Sequence, residues 1–130
     1  MGFLAVIVAA VAGFAFGAIW YMSLQKPWVE AAGIEVDENG RPVNDGPLPY
    51  IMAALAMVLV AGMMLHVFAL SGIDTAMIGL TSGLGIDLVF ISPWIMINTG
   101  YGGRPFKLTI IDGGYATFGC AIIGLVLDLF

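Results

Sequence analysis

Three ionisable side chains, His66, Asp87 and Asp112, interrupt otherwise apolar stretches of this 130-residue chain. Charge inside a membrane is costly, so each should face a bundle interior or water and find a polar partner. Asp87 and Asp112 lie in consecutive stretches and are expected to approach each other. Together they could form a proton or cation relay, in which a desolvated carboxylate takes up and releases its ligand. Alternatively, each is a neutral hydrogen-bonding group that holds two helices together.

The surroundings of these residues favour structural roles for two of them. His66 lies four residues before Leu70, near the end of its apolar stretch. Asp112 follows Lys107 and Arg104, whose long side chains can extend along a helix to the depth in the membrane at which Asp112 lies. The relay hypothesis therefore depends most on Asp87, which lies near the middle of its stretch.

No catalytic constellation accompanies these residues. The chain lacks a glycine-rich phosphate loop, a His-Glu metal motif and a G-x-S-x-G turn, and it has one Cys and one His. Its four basic residues are too few for nucleic-acid binding. We therefore expect a protein that is not an enzyme and that has no cofactor, no metal site and no nucleic-acid partner.

The elements that carry these residues are four apolar blocks, each near the ~20 residues needed to cross a bilayer. They span residues 2–22, 48–70, 73–97 and 106–130. Hydrophobic residues make up 61% of the chain and charged residues 10%, against about 25% in soluble domains. The first block lacks the positive flank of a signal peptide and is expected to be retained. The sequence predicts a single all-α membrane domain over residues 1–130, with four transmembrane helices in an antiparallel bundle.

All four basic residues lie at two of the three connections between blocks. Lys26 and Arg41 fall between the first and second blocks, Arg104 falls between the third and fourth, and Lys107 is the second residue of the fourth. Because Lys and Arg resist translocation, both connections should face the cytoplasm, and both termini should lie outside. The polar loop at residues 23–47 is thus predicted to be cytoplasmic. The expected location is a membrane that the chain crosses several times.

Local signals refine this outline. Pro27 and Gly33 predict a short interfacial helix between them. Pro93 should kink the third transmembrane helix. The short connection after the second helix predicts that the second and third helices are neighbours, and Asp74 is the expected N-cap of the third.

Small residues recur at four-residue spacing along three of the helices. They allow the close backbone approach that holds helices together in lipid. They are either packing positions within one bundle or, most plausibly on the first helix, an interface between subunits. The positions concerned include Ala9, Gly13 and Gly17 on the first helix, Gly79 and Gly83 on the third, and Ala116, Cys120 and Gly124 on the fourth.

Several short motifs together are similar to a known family. They are Gly17-Ala18-Ile19-Trp20-Tyr21, Lys26-Pro27-Trp28, Gly103-Arg104-Pro105-Phe106-Lys107-Leu108 and Gly114-Tyr115. In this respect the chain resembles the bacterial DUF1761 family of small integral membrane proteins without assigned function. The resemblance covers nearly the whole chain and implies a four-helix membrane protein, located in the inner membrane of a bacterium.

Trp28, Arg104 and Lys107 are expected to join the two basic connections, with Trp28 stacked near Arg104 in a cation–π contact. This clamp is either structural or a site for a lipid or partner. Two functions are consistent with the sequence. One is a structural or accessory protein in the lipid bilayer that self-associates or joins a larger membrane complex. The other is a small oligomeric proton- or cation-coupled transporter or channel using Asp87 and Asp112.

Overall fold

The computed structural model describes residues 2–39 and 46–130, and its regular elements are helices. A π-helical turn, Asp87–Ile91, joins the helix before it to the helix after it, and the three together make one continuous span, Ala76–Tyr101. Arg41, one of the four basic residues, lies outside the described residues. The helices are α1 (Gly2–Ser23), α2 (Gln25–Ala32), α3 (Leu48–Ser71), α4 (Ala76–Ile86), α5 (Ser92–Tyr101) and α6 (Phe106–Leu127).

Four of these segments are long and apolar enough to cross a membrane, with lengths of 22, 24, 26 and 22 residues. The predicted all-α class with four candidate spans is therefore confirmed. The third span begins at Ala76 and continues to Tyr101, whereas the sequence predicted residues 73–97. The helix extends further because residues 98–101 keep helical geometry until Gly102.

The central element of the bundle is α6. It packs against α4 and α5 on one side and α1 on the other, while α3 packs mainly on α1. Half of the α6 span is buried, against 33% for α1, 17% for α3 and 11% for the span formed by α4 and α5. Small residues such as Gly113, Gly119 and Gly124 give α6 a narrow profile, which lets neighbours approach it closely.

The predicted pairing of the second and third transmembrane helices is wrong. Among the described residues, α3 and α4 have almost no contact, although only a short link joins them. That link starts at Gly72, whose φ of 70° ends α3 in the left-handed conformation. Thr75 rather than Asp74 caps α4, since its hydroxyl accepts a hydrogen bond from the Ile78 amide at 3.3 Å. The short link does not enforce pairing, because the glycine surface of α6 is the better partner for α4.

The short helix α2 confirms the expected element between Pro27 and Gly33. It begins slightly earlier, at Gln25, and ends where Gly33 adopts a φ of 70° and donates to the Val29 carbonyl. It contacts α6 and α1 at one end of the bundle, called here the loop end. The opposite end, called the terminus end, carries Gly2, Asp74 and Asp128.

Candidate polar sites on the central helix

Asp87 is fully buried, with 0% of its surface exposed, although it lies in a span that is otherwise mostly exposed. Its carboxylate atom Oδ2 accepts hydrogen bonds from two hydroxyls. Ser92 Oγ lies 2.6 Å away on α5, and Thr117 Oγ1 donates from α6. The second carboxylate atom, Oδ1, is buried and has no hydrogen-bond partner among the residues that the structure describes. Asp87 therefore joins the third span to α6 through one oxygen and leaves the other unpaired.

The π-helical turn brings Ser92 back onto Asp87. Pro93 has no amide hydrogen, and its ring would clash with the carbonyl four residues earlier in a regular α-helix. The chain widens just before Pro93, so that the Ser92 amide donates to the Asp87 carbonyl five residues back. The kink expected at Pro93 is therefore realised as a π-helical turn.

Glycines on α6 and α4 make room for this arrangement. Ser92 Oγ lies 3.4 Å from the Gly113 carbonyl and 3.4 Å from Thr117 Oγ1. A Cβ atom at Gly113 would lie only 3.1 Å from Ser92 Oγ. One helical turn before Asp87, Gly83 lies directly against the backbone carbonyl of Cys120, so any side chain there would push the helices apart. The hydroxyls and carboxylate meet because the backbones are this close.

Asp112 forms a separate site on the α1 side of α6. Its Oδ1 atom accepts a hydrogen bond of 2.7 Å from the Tyr21 hydroxyl. The Tyr21 ring meets Trp28 edge-on at 5.5 Å between centroids and Tyr115 edge-on at 5.3 Å. Sequence reasoning named Tyr21 only as part of the motif at residues 17–21 and missed its pairing with Asp112. Asp112 is held by a phenol, and the basic side chains of Arg104 and Lys107 are not its partners.

Reciprocal contacts between glycines and aromatic rings hold α1 against α6. A Cβ at Gly17 would lie 2.7 Å from the Tyr115 ring, and one at Gly114 would lie 2.8 Å from the Trp20 ring. The Trp20 indole also donates to the Ile111 carbonyl at 2.9 Å. Each glycine leaves the space that the aromatic ring of the opposite helix fills. Such a cross-pairing of Gly with Trp or Tyr is the signal that could have linked Tyr21 to Asp112.

The structure does not bring Asp87 and Asp112 together. Asp112 turns toward α1, whereas Gly113 and Thr117 turn toward the span that carries Asp87. The two carboxylates thus have different hydrogen-bond partners on two sides of α6. A single relay through both is not what this geometry offers.

The small residues singled out in the sequence lie inside the chain's own helix packing. Ala9, Gly13 and Gly17 are buried on α1, where Gly13 faces Met57 of α3 and Ile123 of α6. Gly79 and Gly83 are buried on α4 against the backbone of α6. These five positions are occupied by contacts within one copy, so they are not available to a second.

The contacts of Trp28, Arg104 and Lys107 differ from the expected clamp. The ring neighbour of Trp28 is Tyr21, and the Arg104 guanidinium lies against Gly33 at the C-terminal end of α2. Lys107 is exposed. The two connections do meet, but Arg104 contacts the end of α2, where a cation is favourable beside unpaired carbonyls.

His66 is exposed on the outer surface of α3, which differs from the interior position expected for an ionisable residue in a span. It lies five residues before the end of α3 at Ser71, so about 7.5 Å from that end at 1.5 Å per residue. Among the described residues it has no hydrogen-bond partner.

The terminus end carries a third acidic feature. A crevice of about 320 Å³ there is lined by Gly2, Asp74, Asp128 and neighbouring apolar side chains. Burial, and secondarily the negative charge of Asp74, raise the pKa of the Asp128 carboxyl above its ordinary value. Within residues 2–39 and 46–130, no three His, Cys, Asp or Glu side chains converge as ligands for a metal ion.

The fold and these sites define the class: a helical protein whose four apolar spans fit a multi-pass membrane protein. The family profile described as "Protein of unknown function (DUF1761)" matches residues 4–128, nearly the whole chain. The chain belongs to the DUF1761 family. Comparisons with curated proteins and with solved structures found no match.

Proposed function

We propose that the protein is a non-catalytic membrane component that acts by association, and that a second copy of the chain covers the outer face of α3. The observation that carries this proposal is the exposure of His66 within an apolar span. Ionisable residues in spans almost always face a bundle interior or a water-filled cavity. One copy leaves His66 facing outward, so a partner surface is the simplest way to shield it from lipid.

The surface around His66 suits a helix partner. Exposed side chains recur along α3 at spacings of three and four residues, which align them in one stripe. Gly62 lies beside this α3 stripe with open space around it, so a neighbouring backbone can approach there. The stripe comprises Met52, Leu55, Leu59, Met63, His66 and Leu70.

The proposed partner is an identical copy because of the chemistry of His66. A two-fold symmetric contact uses the same surface of both copies, and a residue that lies on the axis meets its own counterpart. A neutral imidazole has one donor and one acceptor nitrogen, so two facing His66 side chains can hydrogen-bond to each other. By contrast, the exposed hydroxyl of Thr81 on α4 already donates to carbonyls of its own helix, so that face needs no partner.

Disulfide crosslinking of the full-length protein in its own membrane tests this arrangement. The only cysteine is the buried Cys120, so a Cys120→Ala background leaves introduced cysteines alone. Leu59→Cys should form a crosslinked dimer, whereas Val89→Cys on the opposite edge of the bundle should not. Both positions are 70% exposed, which makes them a matched pair.

Native mass spectrometry in mild detergent completes the test. A dimer that is weakened by His66→Leu supports the proposal. A monomer together with no crosslink at Leu59 overturns it. A stable complex with other proteins, with Leu59 uncrosslinked, would replace self-association by a role as a subunit of a larger membrane complex.

We also propose that the loop end faces the cytoplasm of a bacterial inner membrane. Lys26, Arg104 and Lys107 lie at that end, and positively charged connections favour the cytoplasmic side. Reporter fusions at the C-terminus should then signal a non-cytoplasmic location. A cytoplasmic signal from that fusion would reverse the orientation.

A further inference from the structure

The Asp87 site combines a buried carboxylate with a shortage of positive charge. The basic residues of the chain are at positions 26, 41, 104 and 107, none of them in the span that carries Asp87. An ion taken out of water costs several kcal/mol unless a counter-charge compensates it. Two hydroxyls stabilise Oδ2, but among the described residues Oδ1 has no donor. The carboxylate is therefore left with room for a positively charged partner.

The other atoms around Asp87 are oxygen ligands. A hydroxyl that donates its proton to Oδ2 keeps two lone pairs, and Ser92 and Thr117 each retain them. The Gly113 carbonyl adds a further acceptor 3.4 Å from Ser92 Oγ. Carboxylate, hydroxyl and carbonyl oxygens form the ligand set of hard cations rather than of zinc or copper.

Charge and spacing narrow the choice of cation. A single carboxylate balances a single positive charge, which selects a monovalent ion. Na⁺ has nearly the same radius as Ca²⁺, whose oxygen ligands lie about 2.4 Å from the ion. Two such oxygens at right angles to each other around the ion are about 3.4 Å apart. Ser92 Oγ stands 3.4 Å from Thr117 Oγ1 and 3.4 Å from the Gly113 carbonyl.

We propose that Asp87, Ser92, Thr117 and the Gly113 carbonyl form a binding site for Na⁺. The ion supplies the missing counter-charge and partners the carboxylate. Ser92 and Thr117 are partly buried, whereas Asp87 is fully buried. The π-helical turn gives the site its shape, because it returns Ser92 onto Asp87. This inference does not depend on self-association through α3.

Thermal unfolding of the full-length protein in detergent micelles provides the first test. A ligand that binds only the folded state stabilises it by RT ln(1 + [L]/Kd), so the melting temperature keeps rising with the logarithm of the ligand concentration above Kd. NaCl should therefore raise the melting temperature in this way, whereas equimolar choline chloride should not. Asp87→Asn keeps the size of the side chain and should abolish the Na⁺-specific shift.

Two ligand variants and one matched control sharpen the test. Thr117→Val and Ser92→Ala each remove one oxygen and should raise the half-saturating Na⁺ concentration about tenfold. Thr109→Val removes another buried hydroxyl of α6, the one paired with Thr99. It should leave the Na⁺ dependence unchanged even where it lowers the melting temperature.

Direct binding of ²²Na⁺ to the wild-type protein by equilibrium dialysis covers the case in which Asp87→Asn fails to fold. Saturable binding that weakens in Thr117→Val supports the site. Equal melting temperatures in NaCl and choline chloride, with no retained ²²Na⁺, would overturn it and leave Asp87 as an interhelical hydrogen-bonding group. A Na⁺ shift that persists in Asp87→Asn would also overturn it.

Discussion

The two sides of α6 are joined to their neighbours in different ways. On the α1 side, aromatic rings fill the space over glycines: Tyr115 lies over Gly17, and Trp20 lies over Gly114. On the α4 side, glycines bring backbone against backbone, with Gly83 on the Cys120 carbonyl. Each side also holds one acid, Asp112 with Tyr21 on the first and Asp87 with two hydroxyls on the second.

The difference shows two solutions to the same physical problem. Lipid removes the hydrophobic force between helices, so packing and interhelical hydrogen bonds must hold them together. Rings can turn when they are crowded, but a backbone carbonyl can move only with its whole helix. The backbone contact between α4 and α6 should therefore tolerate less change than the ring contact between α1 and α6.

The largest effect is expected from Gly83→Ala. Its new methyl group would meet the Cys120 carbonyl, and separating the helices to accommodate it should cost about 3 kcal/mol, the upper end for overpacking. Reversible unfolding in mixed micelles measures this free energy. Gly85→Ala is the matched control on the same helix, because open space surrounds it. Equal effects at the two positions would contradict a backbone contact between α4 and α6.

A smaller loss is expected from Gly17→Ala. The atoms nearest to the added methyl group belong to the Tyr115 side chain, which can rotate away, so about 1–2 kcal/mol of the free energy of unfolding should be lost. The same unfolding assay provides the comparison, with Gly85→Ala in open space again as the control. A cost above that of Gly83→Ala would reverse the ranking of the two contacts.

Tyr21→Phe removes one hydrogen bond while keeping the ring contacts with Trp28 and Tyr115. The expected loss in the free energy of unfolding is about 0.6–1 kcal/mol, as for single interhelical hydrogen bonds in membranes. Tyr101→Phe serves as the control, since Tyr101 is 92% exposed. If both variants unfold alike, the bond between Tyr21 and Asp112 contributes nothing to stability.

The smallest expected effect is a dependence of stability on pH, which arises at the terminus end, where α6 ends. The pKa of Asp128 is raised, so the unfolded chain ionises before the folded one as pH increases. Stability should thus fall from the ordinary Asp pKa of about 4 up to the raised value, and stay lower above it. The free energy of unfolding, measured across this pH range, should fall as pH increases, and Asp128→Asn should remove this fall.

Asp74→Asn is the companion to that measurement. It removes only the charge of Asp74, the smaller of the two causes that raise the pKa of Asp128. The pH range over which stability falls should therefore become narrower but should not disappear. If Asp128→Asn leaves the pH profile unchanged, the burial of Asp128 has no consequence for folding.

Some of this molecule could be predicted from its residues. Gly33 predicted the end of α2, and Pro93 predicted an irregular helix because it lacks an amide hydrogen. Gly79 and Gly83 predicted close packing without naming the partner helix. The pairing of Asp112 with Tyr21 escaped prediction, because it depends on which face of α6 meets α1 and at what height.

The sequence by itself determined the four apolar spans, since their length and composition match a bilayer. The tertiary structure alone decided that α6 is central, that α3 and α4 do not pack against each other, and that Asp87 and Asp112 have different hydrogen-bond partners. The reason is physical. In an apolar chain the hydropathy pattern does not distinguish one face of a helix from another. The fit between glycines and the atoms opposite them determines which helices pack together.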